Sequence, residues 1–165
     1  MKRWLTLAAI TFLVFAAALT STLRATPASG FTGVTAAFAR FDEFDIKNKS
    51  IPASEWMEQF KTKGQTDVYV QQNTWAAGGT TGWHTHPGAS FILVTSGTVT
   101  AYEGDDPACT PHVYTTGQGF VDPGGDHVHV IRNEGTTTAT SVTVQLIQAA
   151  LPRRIDAASP GNCSF

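Results

Sequence analysis

Cysteine is scarce in this 165-residue chain. There are two, Cys109 and Cys163, with no CxxC and no close Cys-His spacing, so a thiolate metal site is not indicated. Basic charge is also short, with 11 Lys and Arg against 13 Asp and Glu. Three of the basic residues, Lys2, Arg3 and Arg24, lie at the N-terminus. Without them 8 basic residues face 13 acidic ones, a formal net charge of −5. That balance argues against nucleic acid or anionic lipid as a partner. Stretches of helical period do not extend convincingly beyond two turns, and repeats of 20 to 50 residues and low-complexity tracts are lacking. The glycine-rich segments read as turns, and none leads from a strand into a helix as a phosphate loop would.

Charge is missing altogether from Trp4 to Leu23, behind Lys2 and Arg3. The apolar heart runs from Leu5 to Leu19, and Arg24 closes it. This pattern predicts an export signal over residues 1–28. An uncleaved membrane anchor is the alternative, since about 20 apolar residues can span a bilayer. The protein is therefore expected in the cell envelope or secreted, with a membrane tether left open. In an oxidising compartment an isolated cysteine pair is most simply a disulfide. A Cys109–Cys163 bridge would pin the C-terminal tail and stabilise the fold by roughly 4 kcal/mol in the chain-entropy model.

What remains fits one domain. Hydrophobic content of 42% with 15% charge suits a globular β protein. Residues 29–55 read as an N-terminal extension, 56–150 as the body and 151–165 as a tail. Within the extension Phe38, Phe41 and Phe44 recur at every third residue, which permits a helical face or an edge strand. They are assigned to packing or to a homodimer contact. From Trp56 onward short β-rich runs alternate with turns. Asp67–Trp75, Phe91–Thr95, Thr98–Glu103, His112–Tyr114, His127–Arg132 and Thr138–Ile147 are the clearest. Strands at intervals of about 8 to 12 residues point to an all-β sandwich or barrel.

Four of the five histidines stand as two His-x-His pairs, His84/His86 and His127/His129, each beside a Gly/Pro turn. A strand sends residues i and i+2 to one face, so each pair shares a face. Paired neutral imidazoles make a poor apolar core and good ligands for a borderline metal ion. His112 lies near Cys109 and reads as structural or exposed.

These two stretches resemble the two motifs of the cupins, small β-barrels of jelly-roll type. Gly78, His84 and His86 fit the first motif, and Gly97 closes it within a residue. The segment is most similar to germin-like sequences. Their glutamate ligand would fall on Phe91, or on Ser90 in the shorter spacing, so the carboxylate is absent either way. Gly117, Pro123 and Gly125 fit the second motif, and His129 keeps the spacing to Asn133 after a one-residue insertion. The resemblance covers roughly residues 65 to 150 and implies a single-domain cupin-type barrel. It implies one divalent ion, iron, manganese, nickel, copper or zinc, held by His84, His86 and His129. His127 is the candidate catalytic acid or base, or a fourth ligand. Trp83, Phe91, Leu93 and Phe120 are assigned as cavity lining, with core packing as the alternative. Three neutral histidines would leave the full charge on the ion and favour anionic ligands. Phe91 would then form an apolar flank, and metal affinity should fall below about pH 6.5 as imidazoles protonate.

The functional expectation is an exported cupin that binds a metal and a small molecule. Its enzymatic form would be a metal-dependent oxidoreductase or dioxygenase. The alternative is a non-catalytic module that binds a small ligand or metal.

Overall fold

The computed structural model describes residues 25–49 and 55–165. The leader assigned to residues 1–28 lies almost wholly outside the described residues, and no described helix is long and apolar enough to cross a membrane. The described chain is all-β, and its strands form a jelly-roll barrel. The strands are β1 (Ser29–Phe41), β2 (Asp45–Lys49), β3 (Met57–Lys61), β4 (Thr66–Thr80), β5 (His84–Thr85) and β6 (Ser90–Ser96). They continue as β7 (Thr98–Glu103), β8 (His112–Thr115), β9 (Gly119–Asp122), β10 (His129–Arg132), β11 (Ala139–Gln148) and β12 (Ile155–Asp156).

One ten-stranded sheet contains all of these but β2 and β3, which form a separate hairpin. The long strand β4 is its spine, with β1 antiparallel on one side and β11 on the other. Thr/Val alternation makes β11 a strand with one buried face: Ala139, Ser141, Thr143, Gln145 and Ile147 are buried, while the residues between them are half-exposed.

The stretch 29–55, read as an N-terminal extension, supplies β1 to this sheet. Of its two readings the strand holds: Phe38 and Phe41 lie on β1 and Phe44 lies just past its end, while an irregularity between Thr35 and Ala37 separates Phe31 from them in phase. Phe31 then packs inward on Trp75, with ring centroids 5.0 Å apart, while Phe38 lies on Tyr69 at 4.9 Å. Arg40 clamps β1 to β4 by donating from Nε and Nη2 to the buried Asp67 carboxylate at 2.6 and 2.8 Å. That guanidinium holds the Asp67 carboxyl below the usual carboxylate range.

Apolar packing is divided into two clusters. Trp75, Val94, Val99, Ala101, Ile131 and Ala139 fill one part of the barrel, with Phe31, Tyr114 and Phe120 against them. Trp83, Tyr102 and Val130 form the second cluster, covered by Val128, Ala157 and both cysteines. The C-terminal tail closes over this second cluster. Phe165 stacks on Trp83 at 6.5 Å and lies 4.9 Å from Tyr102, with the Arg132 guanidinium 3.9 Å from its ring centre. Cys109 and Cys163 are bridged, with Cα atoms 5.3 Å apart.

The bridge closes a loop of 54 residues, so replacing both cysteines by serine should cost up to about 4 kcal/mol. Urea unfolding of the wild type and the double variant measures this. An unchanged midpoint would mean that the aromatic contacts of Phe165 hold the tail by themselves.

Candidate metal centre

Strand period and register build this site. β10 pairs with β5 so that His129 lies directly opposite His84. Inward-facing positions on a strand recur at every second residue. His129 and Ile131 therefore line a cavity inside the barrel, and Val130 between them points into the second apolar cluster. The same alternation sends His84 and His86 into the cavity and Trp83 away from it. The chain can turn into β5 because Gly82 adopts φ +67°, where a Cβ would collide with the Thr26 carbonyl oxygen. Across the site Gly124, at φ +71°, lets the Pro123–Gly125 turn close on the Gly88 carbonyl, and Gly125 N–H donates to the His86 carbonyl at 2.7 Å.

The three rings converge. The His84 centroid lies 4.9 Å from that of His86 and 4.4 Å from that of His129. One nitrogen of each lies within 4.8 Å of the others. Backbone carbonyls fix two tautomers. His84 Nδ1 donates to Gly82 O at 2.8 Å, and His86 Nδ1 donates to Arg153 O at 2.5 Å. A carbonyl only accepts, so the proton is on Nδ1 and the lone pair on Nε2, the arrangement that presents imidazole to a cation. His129 Nδ1 is buried without a hydrogen-bond partner. This donor set fits a divalent transition ion.

Burial also holds the imidazoles neutral. Loss of solvent pushes the His84 pKa far down, and the nearby His129 and Arg154 add to the effect. His86 is lowered by burial in spite of the neighbouring Asp122. His129 is lowered to about 4, again by burial, with Asp122 opposing. The lone pairs thus stay available below neutral pH, and the proton competition expected below pH 6.5 is moved to more acid conditions.

Residues 73–145 match the family model described as a cupin domain. This segment is a cupin domain. A cupin-like protein from Thermotoga maritima is similar at 22% identity over 56% of this chain and 65% of that one, with a TM-score of 0.47. A Klebsiella pneumoniae protein with a double-stranded β-helix domain gives 21% identity over 55% and 74%, at 0.47. An oxalate oxidase in complex with glycolate gives 27% identity over 53% of this chain and 45% of that one, at 0.45; this cupin spans less than half of it. No curated protein matches the chain.

The four residues assigned to the cavity wall of this cupin lie elsewhere. Phe91 and Leu93 face out of β6, because Ser90, Ile92 and Val94 take the inward phase. Phe91 packs on Phe60 of the β2–β3 hairpin at 6.2 Å, and Leu93 is 51% exposed. Trp83 and Phe120 belong to the apolar clusters, as their core alternative allowed. The apolar flank expected from Phe91 is therefore absent, and Ser90 occupies the inward position of the first motif. His127 does not line the cavity. Its Nδ1 is 3.2 Å from Asp122 Oδ1 and its Nε2 is 2.8 Å from Glu103 Oε2. Tyr102 points away as well, its hydroxyl donating to Glu134 at 2.8 Å.

Sequence reasoning missed several inward groups. Asn73, Thr143 and Gln145 line the cavity from β4 and β11, and the period-two pattern of β11 carries a signal for the last two. Arg153 and Arg154 also line it, from the tail, where no pattern marked them. Asp122, fully buried, stands just before Pro123 of the second motif and had been given no role.

Acid should destabilise the metal-free fold. In the unfolded chain His129 binds a proton near the ordinary histidine value of about 6.5, but in the folded chain only near 4. Between these values the unfolded state holds more protons, so stability is lost as pH falls. Urea midpoints of the metal-free protein at pH 7 and pH 5 should differ accordingly, and His129→Gln should flatten the slope. Equal midpoints for the wild type would contradict the burial argument.

Proposed function

We propose that this protein is an exported cupin that binds one divalent transition-metal ion through His84, His86 and His129 and presents it to a small anionic molecule. The observation that carries the reading is the fixed tautomers of His84 and His86, whose Nδ1 protons are committed to backbone carbonyls while buried His129 faces them across the strand pair. Two buried imidazoles locked with free Nε2 lone pairs serve metal ligation better than packing.

The cavity beside the histidines is about 160 Å³, below the roughly 300 Å³ of common small-molecule pockets, and suits a ligand of few non-hydrogen atoms. Its wall is polar where it meets the site, with Ser90, Asn73, Thr143 and Gln145. Arg154 is paired with Asp156 at 2.5 Å. Arg153 donates to the Gln145 amide oxygen at 3.2 Å and has no carboxylate partner among the described residues. Its guanidinium is suited to orient a carboxylate-bearing ligand. A bound ion would supply Lewis-acid or one-electron chemistry at this position. The Cys109–Cys163 bridge supports the export part of the reading, because such bonds persist in oxidising compartments.

Metal analysis of purified protein should find about one equivalent of a divalent ion per chain. Alanine at His84, His86 or His129 should remove most of it while the far-ultraviolet circular dichroism stays that of a β protein. Full occupancy in His86→Ala would defeat the assignment.

A further inference from the structure

We propose that Asp122 supplies a fourth, carboxylate donor to the same ion, so that the second motif provides the ligand the first motif lacks. The inference rests on the histidine-centre reading above. Its first support is register. β9 pairs antiparallel with β6, and Asp122 is the direct partner of Ser90. Directly opposed residues on antiparallel strands project from the same face of the sheet. Ser90 is buried, lines the cavity and stands in the shorter-spaced glutamate position. The carboxylate missing at Ser90 therefore has a replacement on the neighbouring strand, facing the same way.

The second support is how the two oxygens are used. Asp122 Oδ1 accepts from Gly124 N–H at 3.0 Å and from His127 Nδ1 at 3.2 Å. Those contacts fix the plane of the carboxylate. Oδ2 is buried and has no hydrogen-bond partner. It lies 3.8 Å from His86 Nε2, the nitrogen left with a lone pair. Two acceptors facing each other in a dry site repel, and a buried carboxylate oxygen without a donor is destabilising. A cation between them satisfies both. His129 Nδ1, also orphaned, is 3.5 Å from Oδ1, so the carboxylate sits among the rings.

The consequence is a three-nitrogen, one-oxygen centre with one unit of positive charge neutralised. Such a set favours harder ions, manganese(II) or iron(II), more than three imidazoles alone do. It also gives His127 a task. Held between Asp122 and Glu103, it is a positioning residue for the carboxylate.

The competing role for Asp122 is to orient His129 through Nδ1 without touching the ion, and loss of such outer contacts costs about 10- to 100-fold in metal affinity. Manganese(II) titrations of the metal-free wild type, Asp122→Asn and Asp122→Asn/Ser90→Glu separate the two. Loss of a ligand should weaken binding by more than about 100-fold in the single variant, beyond that outer-contact range. Ser90→Glu should then restore most of it, because it returns a carboxylate to the ion and not to His129. A crystal structure of the manganese-loaded wild type should place Oδ2 at bonding distance, about 2.0–2.2 Å as for carboxylate ligation. It also decides the matter should a variant fail to fold. Unchanged affinity in Asp122→Asn, or a loaded structure with Oδ2 unbound, would overturn the proposal while leaving the histidine centre intact. A wild type that takes up no manganese, iron or zinc would remove the histidine centre and this inference with it.

Discussion

The pairing of His129 with His84 across β10 and β5 is the contact on which the site depends. It sets two imidazoles side by side on the inner wall, and strand period then adds His86 two residues on. A slip of one residue in this pairing would turn His129 outward and bring Val130 in. The flanking turns guard against that slip. Gly82 and Gly124 hold backbone conformations that place their carbonyl neighbours too close for any side chain. Asn133, the last residue of the second motif, donates to the carbonyls of Trp75, Ala76 and Thr137, anchoring the far end of β10 to the end of β4.

Around that contact the barrel interior is divided by chemistry. Trp75 and its aliphatic neighbours exclude water from one part, and polar groups from β4, β6 and β11 line the other. Putting histidines, Gln145, Asn73 and Thr143 inside is unfavourable unless they find partners. Several do so among themselves: Asn73 donates to Thr143 at 2.9 Å and Gln145 to Ser90 at 3.3 Å. Of the buried atoms left without partners among the described residues, two, Asp122 Oδ2 and His129 Nδ1, lie together at the ring cluster. Orphaned atoms are uncommon in buried regions, and their convergence beside three neutral imidazoles marks that point for a ligand.

The tail is part of the site as well as its cover. The disulfide and Phe165 hold it over Trp83 and Tyr102. That anchoring brings β12 against β5, with Asp156 opposite His84. It also delivers the Arg153 carbonyl to His86 Nδ1. One segment thus fixes the His86 tautomer, lines the cavity with two guanidiniums and closes the second apolar cluster.

The all-β class, the runs that become β4, β7, β8 and β11, and the inward histidines were legible in the sequence because strand period and turn chemistry are local. So was the cysteine pairing, since only two cysteines exist. The phase of individual strands was less legible. β1 was obscured by phenylalanines at every third residue, a spacing that also suits a helix, and β6 presents Ser90 inward where its bulkier neighbour Phe91 was expected to face the site. What tertiary structure alone decided is which residues from distant segments meet the histidines. Asp122 reaches the ring cluster through the β9–β6 register, and Arg153 through the docked tail. Neither is near His84 in the chain, and no periodicity within one strand encodes the partner on the next. The sequence by itself determined that imidazoles would face inward together; the pairing of strands determined that a carboxylate would face them.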